Sequence, residues 1–378
     1  MNAKFWNGAT NNKSESQKPE VQKTKKSAGR EWFDAILFAV IAATLIRGLF
    51  IEAYAIPSGS MEKTLLVGDC LFVSKINYGA RTPITPVAFP FAHHTMPLIG
   101  TKAYWDGIQL SYHRLPGLST IKRQDIVVFN KPIEGGAPYF RPIDKRENLI
   151  KRCVAIAGDT LSIVNAQVFI NGKPSENKLS GETTYLIHSD GTAFNEQTLH
   201  DLRIEYQQYP GTDDYIFTMS REQAVIVKSW PTVKSISELN SKKGEYDSEI
   251  FPNNPKFAWN QDNMSPFIIP KKDWTVKLDS TTIPLYIKSI SDYEGNKVHI
   301  INTNEIVING KKAKTYTFKQ NYYWMMGDNR HNSLDSRYWG MVPEDHVVGK
   351  ALFVWFSYDS EGSLLSKVRW NRLFMAIK

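Results

Sequence analysis

The chain has 378 residues, 42% of them apolar and 12% aromatic, with a formal charge of +8. That composition can bury a sizeable core, and the length exceeds one minimal domain. The basic excess sits mostly in residues 1–30, where Lys4, Lys13, Lys18, Lys23, Lys25, Lys26 and Arg30 face only Glu15 and Glu20; no later Arg/Lys cluster is interleaved with aromatics, which argues against nucleic acid as a partner.

Residues 1–30 are polar and poor in large apolar side chains, which predicts a disordered basic tail. Composition changes abruptly at Trp32. Ala35 to Ile46 carries no charge, and Gly48-Leu49-Phe50-Ile51 extends the run past Arg47. Residues 31–54 are therefore expected to form one transmembrane helix, with Asp34 near one face and Arg47 or Glu52 near the other. The basic tail ahead of it predicts a single-pass protein of the cytoplasmic membrane, N-terminus in the cytoplasm and the rest outside. Two readings compete. A buried core helix sits poorly with so basic a flank. A cleaved secretory signal is favoured by the A-x-A pattern Ala53-Tyr54-Ala55, and disfavoured by the long basic region, the extended apolar run and Pro57.

Ile56-Pro57-Ser58-Gly59-Ser60-Met61 follows. Pro57 favours an extended Ile56, and Gly59 lets the backbone approach another chain, a geometry that can present a serine hydroxyl at the rim of a groove. Leu71-Phe72-Val73 is strand-like. Residues 78–120, rich in Pro, Gly and His, read as an irregular excursion. Arg123–Phe129 reads as a buried strand, Leu149–Ile156 as a second that stops at Gly158-Asp159, and Leu161–Ile170 as a third turning at Asn171-Gly172. Residues 175–290 are more polar. Within them Ser220-Arg-Glu-Gln223 looks like a capping box opening a short helix through Trp230, and Lys242 to Asn263 reads as surface loop. Strands resume near Trp274 and Val298. Val168–Lys173 and Ile306–Lys311 echo each other, either as two hairpins of one sheet or as a chance recurrence. Tyr322–Met326 is a strand running into a polar segment ending at Gly340, and Val347–Phe356 closes the pattern. Lys367–Lys378 reads as an amphipathic piece at a membrane surface or as a terminal strand and tail. The whole is mostly β, with few helices.

A serine needs a base before it becomes a nucleophile. Of the histidines (His93, His94, His113, His188, His200, His299, His331 and His346), no motif places any opposite Ser60, although His331 is the best candidate. Lys151 lies inside an apolar strand, sharing one face with Cys153 and Ala155 while Ile150, Arg152 and Val154 share the other. Burial there would favour the neutral amine, which can accept a proton; an edge-strand lysine pointing to solvent is the alternative. Cys70 and Cys153 show no metal-ligand spacing and pair only if their strands are neighbours; two separate buried thiols are the more common outcome.

The segment Ile56 to Leu65, with Gly68-Asp69, resembles the nucleophile motif of type I signal peptidases, the membrane-bound leader peptidases of bacteria. Asp125-Ile-Val-Val-Phe129 resembles their next motif, Lys151-Arg152 with Gly158-Asp159 the motif of the general base, and Gly327-Asp-Asn-Arg-His-Asn-Ser-Leu-Asp-Ser-Arg337 their last. All occur in family order behind an N-terminal anchor, while residues 80–120 and 175–290 match weakly or not at all. The resemblance implies a signal-peptidase-like antiparallel β-sheet domain at 55–170 and 300–360. It also implies an inserted, non-catalytic β-rich domain at 171–299, an anchor at 31–54 and a C-terminal tail at 361–378. It implies a Ser-Lys serine endopeptidase, without cofactor or metal, that removes signal peptides from exported preproteins. Its expected partners are those preproteins, the lipid bilayer and the protein export machinery.

Site residues follow from the same likeness. Ser60 is the expected nucleophile and Lys151 the base. Ser58 and the Ser60 N–H are expected to form the oxyanion hole, and Ser333 to orient the amine. Asp328 with Arg152 and Asp335 with Arg337 are expected ion pairs beneath the site. Ile56 and Ile150 are expected to line shallow pockets for small side chains. The sequence departs from the family at Glu62-Lys63, where Met- or Gln-Pro is usual, at His331, where Asp is common, and at Cys70 and Cys153. Two other functions remain open: a Ser-Lys autoprotease of repressor type, and an anchored binding or assembly factor with a decayed site.

Overall fold

A computed structural model of the chain describes residues 27–175, 182–302, 305–359 and 367–377. The expected disordered tail lies outside these residues up to Lys26, as does part of the expected C-terminal tail. Helix α1 (Ala28–Leu49) has 22 residues and no buried side chain. At about 1.5 Å per residue it is long enough for the roughly 30 Å hydrocarbon core of a bilayer. The chain divides after Ala43, and the second unit, Thr44–Lys378, holds every described strand.

The helix stops before the expected end of the anchor at residue 54. Ile51–Ala55 instead form β1, which pairs antiparallel with β2 (Asp69–Ser74) along its whole length. Charge explains the break. Glu52 is buried and holds Arg47 at 2.7 Å and Lys75 at 2.9 Å, while the Tyr54 hydroxyl donates to the same carboxylate. The A-x-A pattern is thus a sheet strand.

The main sheet is antiparallel, in the order β1, β2, β20 (Val347–Ser357), β3 (Ile126–Asn130), β4 (Asn148–Ala155), β18 (Tyr322–Met326) and β19 (Val342–Pro343), with β21 (Met375–Ala376) added to β20. The C-terminal segment therefore contributes a terminal strand. Both cysteines are free: Cys70 on β2 and Cys153 on β4 are separated by β20 and β3.

The expected third strand is two. Asn165 and Ala166, at φ 48° and 63°, turn β5 (Thr160–Val164) back into β6 (Gln167–Ile170). Asn171-Gly172 then turns β6 into β7 (Lys173–Pro174), and β12 (Met264–Ile268) pairs with β5 to complete this sheet. The echoing hairpin at 306–311 joins β15 (Glu305–Ile308) to β16 (Lys311–Ala313) in another sheet, with β14 (Val298–Asn302), so the two hairpins do not share one. They do share a core: Val168, Ile170 and Ile306 pack in one cluster with Trp324, Phe251 and Phe267. β13 (Thr275–Lys277) and β17 (Thr315–Thr317) form a small ribbon, and α4 (Ile283–Lys288) packs Ile283 and Leu285 into the same core.

Residues 182–238 build a separate core. β11 (Val233–Glu238), β8 (Glu182–Ser189), β10 (Asp214–Ser220) and β9 (Glu205–Gln208) form its sheet, beside α2 (Glu196–Asp201) and α3 (Arg221–Lys228). Tyr185, Ile187, Phe217, Met219 and Val227 fill it. The capping box is present: the Ser220 hydroxyl accepts from the Gln223 N–H, and the Gln223 side chain accepts from the Ser220 N–H.

Candidate active site

The link from β1 to β2 carries Ser60. Its ends are tied by hydrogen bonds from the Ile56 N–H to the Asp69 carbonyl and from the Gly68 N–H to the Ile56 carbonyl. Ser58 is extended and exposed, and Gly59–Met61 make one 3₁₀ turn. Met61 and Leu65, fully buried, pin this link onto Val73, Ile126 and Val128, so burial of two apolar side chains fixes the turn that carries the Ser60 hydroxyl. Ile56 and Ile150 belong to this same core and are not in the walls of the cleft that holds Ser60.

Arg372 locks the link from a distance that sequence spacing does not reveal. Its Nε donates to Asp69 Oδ1 at 2.9 Å and its Nη2 to Oδ2 at 2.5 Å and to the Thr64 carbonyl at 3.0 Å. Asp69 has no exposed surface. Arg372→Ala strands that carboxylate in the core and is expected to destabilise the fold by about 3–5 kcal/mol, read as a lowered midpoint of urea unfolding.

Lys151 sits on β4 directly opposite Val127 of β3. It is 4% exposed, and its Nζ donates to Ser60 Oγ at 2.5 Å. Burial pulls its amine down from the ordinary lysine value to about 8; Asp335 and Asp328 oppose this and Arg337 adds to it. The alternative of a solvent-facing edge lysine is excluded, because β4 is flanked by β3 and β18. A cleft of about 340 Å³ surrounds the pair, walled by Ser58, Gly59, Leu149, Asn332, Leu334 and Trp339, among others. Leu149, Leu334 and Trp339 were not picked out by sequence. Leu149 was within reach, as the residue two before Lys151 on the same face of a strand.

The last motif forms the floor. Arg152 clasps Asp328 with two hydrogen bonds, Nε to Oδ1 at 2.8 Å and Nη2 to Oδ2 at 2.7 Å, and Thr64 Oγ1 donates to the same carboxylate. Arg337 clasps Asp335 likewise at 2.9 Å on both arms, and Asp335 also accepts the Gly327 N–H. Burial opposes ionisation of Asp335, but Arg337 and these N–H groups hold its carboxyl below the usual range. α5 (Ser336–Trp339) starts there, with Asp335 as its cap. The Asn329 N–H donates to the Ser60 carbonyl, tying this floor to the serine turn.

Ser333 is placed differently from expectation. It is buried, but among the described residues its hydroxyl has no hydrogen-bond partner, and the Lys151 amine is turned to Ser60 instead. Ser333 packs against Gly327, where an added Cβ would overlap both the Ser333 side chain and the Ser60 carbonyl oxygen.

Two of the departures from the family pattern, Lys63 and His331, make contacts with residues 182–262, while Cys70 and Cys153 lie on β2 and β4 of the main sheet. Lys63, at φ 71°, pairs with buried Glu182 at 3.1 Å. Burial pushes the Glu182 carboxyl up to about 7 against the pull of Lys63. β8 begins at Glu182, whose N–H donates to the Asp328 carbonyl and whose own carbonyl accepts the Arg330 N–H. His331 does not approach Ser60 by any hydrogen bond. Its Nδ1 accepts the Thr184 N–H at 3.0 Å, so its Nε2–H donates to Asp262 at 2.9 Å. It is a strut between the last motif and the inserted segment. Among the described residues no histidine hydrogen-bonds Ser60, and no group of His, Cys, Asp and Glu could hold a metal ion.

Comparison with known proteins agrees with this geometry. Residues 29–225 and 313–356 match the family model described as signal peptidase, peptidase S26. A protein named signal peptidase I from Buchnera aphidicola subsp. Acyrthosiphon pisum is 28% identical over 366 residues, covering 93% of this chain and 84% of its own length. Signal peptidase I of Haemophilus influenzae is 26% identical over 367 residues, 97% of this chain and 80% of that protein. That of Helicobacter pylori is 25% identical over 349 residues, 89% of each.

Proposed function

Because the chain belongs to the signal peptidase family, peptidase S26, we propose that it is a serine endopeptidase removing signal peptides from preproteins, with Ser60 as nucleophile and Lys151 as base. The observation that carries this is the hydrogen bond between a buried amine and the Ser60 hydroxyl.

Neutral Lys151 takes the Ser60 proton as Oγ attacks the carbonyl of the last signal-peptide residue. The oxyanion meets the Ser60 N–H and the Ser58 hydroxyl, two donors for the charge that develops there. Collapse breaks the C–N bond. The leaving amine takes the proton back from the Lys151 ammonium, and the signal peptide remains as an ester on Ser60. Water then attacks the ester and gives a proton to Lys151; the C–Oγ bond breaks, Lys151 returns that proton to Oγ, and the signal peptide leaves as a carboxylic acid that ionises in water. Ser333, which does not bond the amine while Lys151 holds Ser60, takes up the ammonium once Ser60 has given its proton and orients it for the return. The two Arg–Asp pairs hold the floor. Leu149, Leu334 and Trp339 narrow the cleft, so that only small side chains fit beside the scissile bond, and overlap rejects larger ones.

α1 is the anchor in this reading. It keeps the enzyme in the cytoplasmic membrane with its N-terminus in the cytoplasm and the catalytic domain outside. Preproteins tethered by their own signal helices present their cleavage sites close to the bilayer, and Ser60 follows α1 by only a short stretch. The main sheet with its serine link is the catalytic domain, and the inserted segments brace the last motif and offer a surface to the export machinery. Against a repressor-type autoprotease stand the anchor and the Gly327–Arg337 motif.

The test is cleavage of a model preprotein in detergent across pH. The new N-terminus should lie directly after a small-residue site, and kcat/KM should rise with pH through about 8 as Lys151 loses its proton, then level off. A rate that falls across that range, or a cut elsewhere, overturns the Ser-Lys assignment.

A further inference from the structure

The excursion at residues 78–120 takes no part in this chemistry. With the segment ahead of β4 and the last turn of α1, it borders an open cavity of about 260 Å³. The cavity walls carry Arg47, Lys75, Arg81 and Lys145 against two carboxylates, Glu52 and Asp144. Glu52 is taken up by Arg47 and Lys75. Asp144 accepts the Thr85 N–H at 2.9 Å and the Thr85 hydroxyl at 2.8 Å. Arg81 is held by neutral oxygens, Asn130 Oδ1 at 2.7 Å and the Asp345 carbonyl at 2.6 Å.

Lys145 is the outlier. It is 9% exposed, and among the described residues no carboxylate stands within ion-pair distance of its amine. That amine lies over the Tyr104 ring, 5.8 Å from its centroid. Burial holds the amine below the ordinary lysine range; Asp144 opposes this, while Arg47 and Arg81 add to it. A buried cation without a counter-charge is costly unless something pairs with it. The cavity walls thus carry two more cations than carboxylates, Arg81 and Lys145 being the two without a carboxylate in ion-pair contact.

Two observations select among anions. Thr44, Arg47 and Gly48 put the last turn of α1 in the cavity wall, which is headgroup depth if α1 spans the bilayer. Phe89 and Phe91 also line the cavity and are more than half exposed; Leu98, Ile99 and Trp105 on the same excursion are exposed too. An apolar patch beside a cationic recess suits a ligand with a phosphate and acyl chains.

We propose that this cavity binds the phosphate of an anionic phospholipid headgroup, with Lys145 and Arg81 as its charged donors and Phe89 and Phe91 against the acyl chains. The proposal rests on the reading of α1 as the anchor. Partition of the full-length protein into a detergent phase tests that reading first and separately.

The purified protein is then offered phosphatidylglycerol or phosphatidylcholine in mixed micelles, and retained lipid is counted by native mass spectrometry. Wild type should retain phosphatidylglycerol preferentially. Lys145→Gln should lower that retention about fivefold, the size expected for one cation at a charged membrane surface. Lys145→Arg should restore it, and Lys102→Gln, at an exposed position on the same excursion, should leave it unchanged. Unaltered cleavage of a soluble peptide by Lys145→Gln shows that the fold is intact. Equal retention of the two lipids by wild type, or an unchanged preference in Lys145→Gln, overturns the site. Displacement of the lipid by millimolar inorganic phosphate overturns the lipid as its ligand and leaves a site for a free anion.

Discussion

Lys151→Met is expected to lower kcat/KM for a model preprotein by roughly 10⁴–10⁶-fold, with Ser60→Ala falling as far and the double variant no further. In the proposed mechanism Ser60 and Lys151 act as one unit, so losing either removes the acylation route. The same substitution should raise stability at neutral pH, which separates lost chemistry from lost folding. The folded value for Lys151 is about 8, against 10.5 for an ordinary lysine. The unfolded chain therefore binds this proton more tightly than the native one. The resulting destabilisation is fully present below about pH 8 and fades as pH rises toward 10.5. Its upper size is about 3 kcal/mol, from 1.36 kcal/mol per pH unit. Methionine fills a similar volume without a charge to desolvate. Thermal unfolding of Lys151→Met should thus lie above wild type at pH 7, with the gap closing near pH 10. An inactive variant less stable than wild type at pH 7 would mean that the amine is better solvated than its burial indicates.

The parts of this site carried by local pattern were legible. β3, β4 and β18 are apolar runs bounded by turn residues, and Lys151 is conspicuous because a cation interrupts one of them. The capping box of α3 reads directly from Ser220 and Gln223, since both partners lie within one helical turn. What was not legible depended on contacts between distant segments. Nothing in the spacing joins Arg372 to Asp69, or His331 to Asp262. The Asn165-Ala166 turn was missed because alanine carries no turn signal, whereas Asn171-Gly172 does. Ile56 and Ile150 stand close to Ser60 and Lys151 in sequence, yet they pack in the core while Leu149 lines the cleft. Residues 175–290 resisted reading because they serve two cores: 182–238 close one of their own, while Phe251, Trp259, Phe267 and Ile283 fill another beneath β18.

The second large effect lies at a glycine that motif reading passes over. Gly59, between the two serines, draws attention in the sequence, but a Cβ there would meet only Glu205 and Glu62 side chains at 3.5 and 3.7 Å, ordinary contact. Gly327 is the crowded position. A Cβ on it would stand 2.5 Å from the Ser60 carbonyl oxygen and overlap Ser333 still more. Neither glycine has the left-handed φ that would add strain of another kind, so the comparison is one of space alone. Gly327→Ala must push the serine turn off the last motif, where the Asn329 N–H now holds the Ser60 carbonyl. Overpacking of this sort costs about 1–3 kcal/mol of stability. A shift of about 1 Å in the nucleophile costs about 100-fold in rate. Gly327→Ala is therefore expected to lose at least about 100-fold in kcat with a folded circular-dichroism spectrum, while Gly59→Ala stays within about tenfold of wild type. Adding Ser333→Gly to Gly327→Ala removes the side chain in the way but not the Ser60 oxygen. It should recover folding stability while kcat stays low, because the oxygen that still collides belongs to the nucleophile itself. Full recovery of kcat in that double variant would show that Gly327 makes room for Ser333 and not for the serine turn.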